Sequence, residues 1–214
     1  MSSGWLNFFF TAFISLFAIV NPFGNAPLFL TFTEDKTEKE RTQIAFRSSL
    51  ASMIILLAFI FLGKYILLFF RITISDFQIA GGIIIFVVGL NMLQVRHPRT
   101  KSIPQEQEEA MEKEDISIVP LGIPILSGPG AIATAMVLAY QSGHLFGKVL
   151  VAIAAILTAG FTFFIFKESI RLIKFLGHTG INLLTRLMGL ILMVKAVEFV
   201  VQGIYSAFPQ LFSR

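Results

Sequence analysis

Apolar residues run through the chain in six long blocks, and polar residues are confined to the intervals between them. The blocks fall near 5–33, 45–66, 77–95, 117–141, 147–167 and 182–205. Each is close to or above the roughly 20 mainly apolar residues that a helix needs to cross about 30 Å of hydrocarbon. The stretches 1–33, 77–95, 116–147 and 149–166 contain no Asp, Glu, Lys or Arg at all. This pattern predicts an all-α polytopic membrane protein with six transmembrane helices. Only the interval 96–116 is long and polar enough for an internal linker. It opens on basic Arg96, Arg99 and Lys101, turns acidic from Glu106 to Asp115, and separates a first three-helix repeat (1–95) from a second (117–214).

Composition agrees with the pattern. Of 214 residues, 14% are charged and 55% hydrophobic, whereas a soluble domain carries about 25% charged residues. That shortage of polar surface excludes a soluble enzyme or a nucleic-acid binder, so no nucleic acid is expected among the partners. The net charge is +4, but in a membrane protein the position of the basic residues matters more than their sum. There is no Cys, hence no disulfide and no thiolate metal site. Met1 to Gly4 has no basic side chain and the apolar run after it is long, which does not suit a signal peptide. A multi-pass protein of a prokaryotic cell (inner) membrane is the expectation.

The basic residues set the orientation. Lys36, Lys39, Arg41, Arg47, Arg96, Arg99, Lys101, Lys113, Lys167, Arg171, Lys174 and Arg186 share one side, against Lys64, Arg71, Lys148 and Arg214 on the other, so 12 stand against 4. Basic loops stay cytoplasmic, which predicts both termini outside. Trp5, Tyr65, Tyr140 and Tyr205 would then all mark the outer interface, where half-wet aromatic rings concentrate. The 24 Phe are spread through the spans as packing or lipid-facing residues.

Three spans per half is an odd number, so related halves would lie upside-down relative to each other. A shift of 107 residues sets Pro22 on Pro129, Ala45 on Ala152, Phe59 on Phe166, Gly82 on Gly189, Ile84 on Ile191 and Val87 on Val194, and aligns every span. Inverted repeats are typical of secondary transporters, which bind substrate between the repeats near the midplane.

Five of the eight prolines fall in two clusters within apolar spans, Pro22 and Pro27 in span one and Pro120, Pro124 and Pro129 in span four. Proline in a helix costs about 3 kcal/mol, and in lipid the freed backbone groups must face protein or a wet cavity. Discontinuous helices 1 and 4, meeting at the pseudo-twofold axis, are therefore expected. Asn21 and Ser127 are N-cap types, and Pro22 and Pro129 suit a first helical turn. Free N–H groups of Phe23, Gly24 and Asn25 and of Gly130, Ala131 and Ile132 would then point at a shared cavity, with Gly24, Gly128 and Gly130 allowing close approach. Such helix N-termini hold a carboxylate without a basic side chain. An ordinary kink is the bland reading of either cluster alone, and the equivalence of the two favours a binding role.

Asn-Pro-Phe-Gly-Asn-Ala-Pro at 21–27, Ile-Ala-Gly-Gly-Ile-Ile at 79–84, Pro-Leu-Gly-Ile-Pro with Ser-Gly-Pro-Gly in span four, and Arg-Leu-Met-Gly-Leu-Ile-Leu at 186–192 resemble the MarC family of integral membrane proteins over nearly the whole chain. The resemblance implies a transporter of small neutral amino acids such as glycine and alanine. The two helix interruptions place that substrate at Asn21, Pro22, Phe23, Gly24, Asn25, Ser127, Gly128, Pro129, Gly130 and Ala131. No cofactor or metal is expected, and coupling to H+ or Na+ is left open, as is a homo-oligomer.

Lys195 and Glu198 depart from the uncharged residues usual in that family. Three apart on one helix face, they are close enough to pair. An intramembrane charge costs about 2.5–3.5 kcal/mol on insertion scales, so both should face the bundle interior. They are candidates for an ion-coupling site, with Asn91 equivalent to Glu198 under the shift, or else form a self-neutralising structural pair. Ser48, Ser49, Ser52, Thr158 and Thr162 are read as interhelical hydrogen-bonding residues, and Gly81, Gly82 and Gly89 as close helix contacts. His97, His144 and His178 are read as solvated. No Gly-x-Ser-x-Gly or His-Glu-x-x-His motif is present, and Ser127 has no His partner in a span, which argues against an intramembrane enzyme. A channel or a membrane assembly component is the alternative.

Overall fold

A computed structural model of the protein describes residues 2–95 and 125–211. Among the described residues the chain is helical throughout: α1 (Ser2–Val20), α2 (Pro22–Phe32), α3 (Glu38–Phe69), α4 (Ile74–Leu93), α5 (Pro129–Gln141), α6 (Leu145–Lys167) and α7 (Ser169–Ala207), followed by a 3-10 turn at Pro209–Leu211. Five stretches are long and apolar enough to cross a membrane: Gly4–Phe32, which joins α1 to α2, and α3, α4, α6 and α7. The predicted linker 96–116, the first part of predicted span four (117–124) and His97 lie outside the described residues. The described part of span four, α5, has 13 residues and a length of about 20 Å, too short to cross alone.

The ends of α3 show how local chemistry extends a span beyond its apolar core. The helix begins seven residues before the expected 45, because Thr37 and Glu40 form a reciprocal capping box: Thr37 Oγ1 accepts from the Glu40 N–H, and the Glu40 carboxylate accepts from the Thr37 N–H at 2.8 Å. At the other end the Ile72 N–H reaches the Leu67 carbonyl at 2.9 Å and the Arg71 N–H reaches Leu68 at 3.1 Å, the two bonds of a Schellman stop. Arg71 thereby sits at φ 55, a left-handed conformation that disfavours a Cβ. Arg71→Gly is accordingly expected to raise stability by about 0.5–1 kcal/mol, read as a higher midpoint of thermal unfolding in detergent.

The segment between spans five and six differs from expectation. Residues 168–181 were expected to be loop, yet α7 starts at Ser169 and continues for 39 residues, with His178 inside it. A single left-handed residue, Gly177 (φ 63, ψ 173), turns the chain within this helix. Before the turn, Ser169–Leu176 exposes Arg171, Lys174 and Phe175, the last 88% exposed. Cations beside an exposed aromatic suit a helix lying in the headgroup layer, which the span-length pattern alone does not reveal.

Packing is organised around the crossing of α4 and α7, where glycines let backbones touch. A Cβ on Gly82 would lie 2.9 Å from the Ala196 carbonyl oxygen and 3.1 Å from the Val200 nitrogen. A Cβ on Gly189 would lie 2.8 Å from the Gly89 carbonyl oxygen and 3.0 Å from the Leu93 nitrogen. The two sets of contacts exchange under the shift of 107 residues, and Ile85 and Leu192, which also exchange, are both buried at the centre. Elsewhere Phe29 stacks on Phe166 with centroids 4.5 Å apart, holding α2 on α6. Trp5 meets Phe146 edge-on at 5.2 Å, so the start of α1 lies beside the start of α6.

The small polar residues of spans two and five are buried as expected, but several of their bonds run along the helix instead of across. Thr158 Oγ1 donates to the Ala154 carbonyl and Thr162 Oγ1 to the Thr158 carbonyl, both at 2.8 Å, and Ser48 Oγ donates to Ala45 at 3.2 Å. A hydroxyl in lipid is satisfied most cheaply by its own preceding turn.

Candidate functional site

The helical course of span one is interrupted at one residue. Asn21 adopts φ 47 and ψ 61, which an asparagine tolerates better than most side chains. The backbone bonds on either side survive, since the Asn21 N–H reaches Phe17 at 2.9 Å and the Asn25 N–H reaches the Asn21 carbonyl at 3.0 Å. Two side chains repair most of the rest. Asn21 Oδ1 accepts from the Gly24 N–H at 3.2 Å, and Asn25 Nδ2 donates to the Val20 carbonyl at 2.7 Å, giving the end of α1 a partner that lipid cannot supply.

Span four restarts in a related way, with a shift in the cap. Gly128, not Ser127, is the N-cap of α5, and it makes no side-chain cap bond. The Gly128 carbonyl accepts from Ala131 at 2.9 Å and from Ile132 at 3.1 Å. Ser127 instead is 3% exposed, and its Oγ has no partner among the described residues.

These bonds correct the expected set of six free N–H groups. Gly24, Asn25, Ala131 and Ile132 spend theirs locally. Phe23 and Gly130 are the second residues of α2 and of α5, where a helix offers the N–H no acceptor of its own, and the two exchange under the 107-residue shift. The Asn25 side chain caps the end of α1, and the Phe23 and Gly130 N–H groups lie at helix ends that carry partial positive charge.

The two interruptions are neighbours. A Cβ on Gly130 would sit 3.1 Å from Ile19 Cδ1, two residues before Asn21, and 3.6 Å from Val88 Cγ2 of α4. A Cβ on Gly24 would press on the Asn21 amide and lie 2.8 Å from Thr185 Oγ1 of α7. Thr185 was not foreseen. It is 7% exposed and its hydroxyl has no partner among the described residues. Its equivalent under the 107-residue shift, Gln78, is also buried, with an unpartnered Oε1. A polar residue at both members of an equivalent pair in two apolar spans was the signal available in the sequence. Buried polar groups without partners are costly, so Ser127, Thr185 and Gln78 are places where a polar ligand recovers hydrogen-bonding energy.

Pro22 is buried beside Asn21, whereas Pro129 is exposed. Neither has an N–H to lose, so each can open a helix without adding an orphan donor.

Lys195 and Glu198 do pair, at 2.6 Å, with side chains 26% and 42% exposed. The expectation that both turn fully inward is therefore met only in part. Glu198 Oε1 also accepts from Gln202 Nε2 at 3.3 Å, and Gln202 Oε1 accepts from Gln141 Nε2 at the end of α5. These four residues form a polar ladder toward the end that bears Tyr140 and Tyr205. The pair lies ten to thirteen residues beyond Thr185 on α7, about 15–20 Å, and so does not sit at the Asn21 interruption. Asn91 is half-buried on α4 and takes no part in the ladder.

Among the described residues no group of three or more His, Asp and Glu could hold a metal ion. The site is made of backbone donors, amides and hydroxyls, and it suits a small polar or zwitterionic solute.

Comparison with known proteins places this geometry in context. A family model described as MarC family integral membrane protein matches residues 6–208. The UPF0056 membrane protein YvbG of Bacillus subtilis is 43% identical over 212 residues, covering 97% of this chain and 99% of the relative. The UPF0056 membrane protein YhcE of Escherichia coli is 39% identical over 207 residues, covering 95% and 94%. A UPF0056 membrane protein of Aquifex aeolicus is 36% identical over 196 residues, covering 92% of each chain. No solved structure matches.

Proposed function

Because the chain belongs to the MarC family of integral membrane proteins, the question narrows to what such a membrane protein moves or holds, and we propose that it is a secondary transporter of small neutral amino acids. Six spans in two inverted halves, with helices 1 and 4 discontinuous, are part of this proposal, as are a cell-membrane location and both termini outside. The observation that carries it is the juxtaposition of two helix starts deep in apolar spans. One retains the Phe23 N–H and the other the Gly130 N–H, and unpartnered hydroxyls of Thr185 and Ser127 lie at the same two places. The substrate carboxylate takes the two backbone donors, and its ammonium group is held by hydroxyl or amide oxygens.

The exchange of α4–α7 contacts under the 107-residue shift supports two related halves of opposite orientation, as alternating access requires. Glu198 is the candidate coupling group, because the ladder through Gln202 and Gln141 connects it toward one membrane face.

Uptake of labelled glycine and alanine into proteoliposomes tests the reading. Saturable uptake and counterflow are expected, absence of counterflow with every small amino acid overturns it, and unsaturable flux supports a channel instead. In the same vesicles Glu198→Gln is expected to abolish dependence on a proton gradient while exchange continues. Unchanged gradient dependence removes Glu198 from coupling.

A further inference from the structure

Only four of the 17 basic residues fall on the side of the sparse charges, and two of them converge on one cavity. This cavity, about 360 Å3, is lined by Lys64 of α3 and Lys148 of α6, by Tyr140 of α5, and by apolar groups including Ile60 and Met136. No Asp or Glu is among its lining residues. The nearby carboxylate on α4, Asp76, accepts from the Thr73 hydroxyl in its own helix cap. Among the described residues neither lysine joins an ion pair, whereas Lys36, Arg171 and Lys195 do. Two ammonium groups over apolar walls concentrate positive potential in a confined space, where it attracts anions more strongly than the same charges spread over a surface.

The floor of the cavity connects it to the candidate site. Met136 packs over Gly63, whose Cβ would lie 2.8 Å from Met136 Cε. From Met136 the helix α5 runs back seven residues to Pro129, about 10 Å. We infer that this cavity is a vestibule that takes the carboxylate of the small amino acid before it reaches the two helix starts. Lys64 and Lys148 recruit the carboxylate, the Tyr140 hydroxyl supplies a polar contact, and Met136 on Gly63 separates vestibule from site. This inference rests on the transport reading and adds to it a separate point of entry.

Protection of the lysines from acetylation tests the vestibule without requiring transport. The detergent-solubilised full chain is treated with an amine-acetylating reagent, and modification of Lys64 and Lys148 is followed by peptide mass spectrometry. Acetate and propionate, which do not consume the reagent, are expected to slow both about threefold, while tetramethylammonium, a cation without a carboxylate, does not. Absence of protection by acetate, or protection by anionic-lipid vesicles alone, overturns the vestibule. In proteoliposomes Lys64→Gln with Lys148→Gln should raise KM for glycine about tenfold and spare kcat, with Lys→Arg at both positions restoring KM. An unchanged KM refutes the vestibule while transport stands. Protection by acetate in a chain that shows no uptake leaves the vestibule and refutes transport.

Discussion

Gly189→Val is expected to cost about 3 kcal/mol of stability. The reason is geometric. The new Cβ would meet the Gly89 carbonyl oxygen at 2.8 Å and the Leu93 nitrogen at 3.0 Å, both backbone atoms that cannot rotate away, so α4 and α7 must separate. Gly82→Val should lose a similar amount, because its Cβ meets the Ala196 oxygen and Val200 nitrogen at 2.9 and 3.1 Å. Gly160 of α6 provides the contrast. Nothing lies within 4 Å of a Cβ there, and Gly160→Ala should gain about 0.5–1 kcal/mol from reduced chain entropy. Thermal unfolding in detergent, read by helix content, separates the three. Equal midpoints for Gly189→Val and Gly160→Ala would mean that the helices do not cross backbone to backbone.

The second large effect is on transport. Asn21→Ala removes a cap worth about 1 kcal/mol and puts a side chain without local hydrogen bonds into a left-handed conformation that costs about 1 kcal/mol more. The Gly24 N–H loses its 3.2 Å acceptor as well, and the two helix starts no longer hold a fixed relation. Uptake of glycine is expected to fall about 100-fold or more, within the range a misplacement of about 1 Å produces. Asn21→Gly keeps the backbone conformation and loses only the cap, so it should retain intermediate uptake. Asn25→Leu attacks the same joint from the other side: the Val20 carbonyl loses its 2.7 Å donor, at a cost of about 1–3 kcal/mol. Initial uptake rates, normalised to folded protein, are the measurement. Full uptake by Asn21→Ala would remove the interruption from the binding site.

Much of this arrangement is legible in the sequence because membrane insertion writes itself in long runs. The charge-free stretch 1–33 gives span one, Asn21-Pro22 gives its interruption, and Gly82 and Gly89 give one side of the crossing. What is not legible depends on hydrogen bonds that only three dimensions reveal. Asn25 reads only as a binding residue in the sequence, and the fold adds a capping bond from its amide to the Val20 carbonyl. Ser127 reads as a cap and is displaced by one residue, because Gly128 takes the extended conformation instead. Thr185 is marked in the sequence only by its polar equivalent Gln78 under the 107-residue shift, and its place beside Gly24 emerges only where α7 packs against α2. The helix before Gly177 was hidden because it is too short and too basic to resemble a span.

The contact of Gly82 with Ala196 and that of Gly189 with Gly89 stand on either side of Ile85 and Leu192, seven residues or about 10 Å apart along each helix. Contacts of this kind resist sliding, since carbonyl oxygens sit in notches left by missing side chains. They resist tilting far less, because the notches are shallow and the two are placed evenly about the centre. Mechanically the crossing is a fulcrum: a tilt of α4 against α7 that spreads the helices at one membrane face draws them together at the other. On the proposed transport reading, leakage through both faces at once would be prevented by leverage rather than by a pair of independent gates.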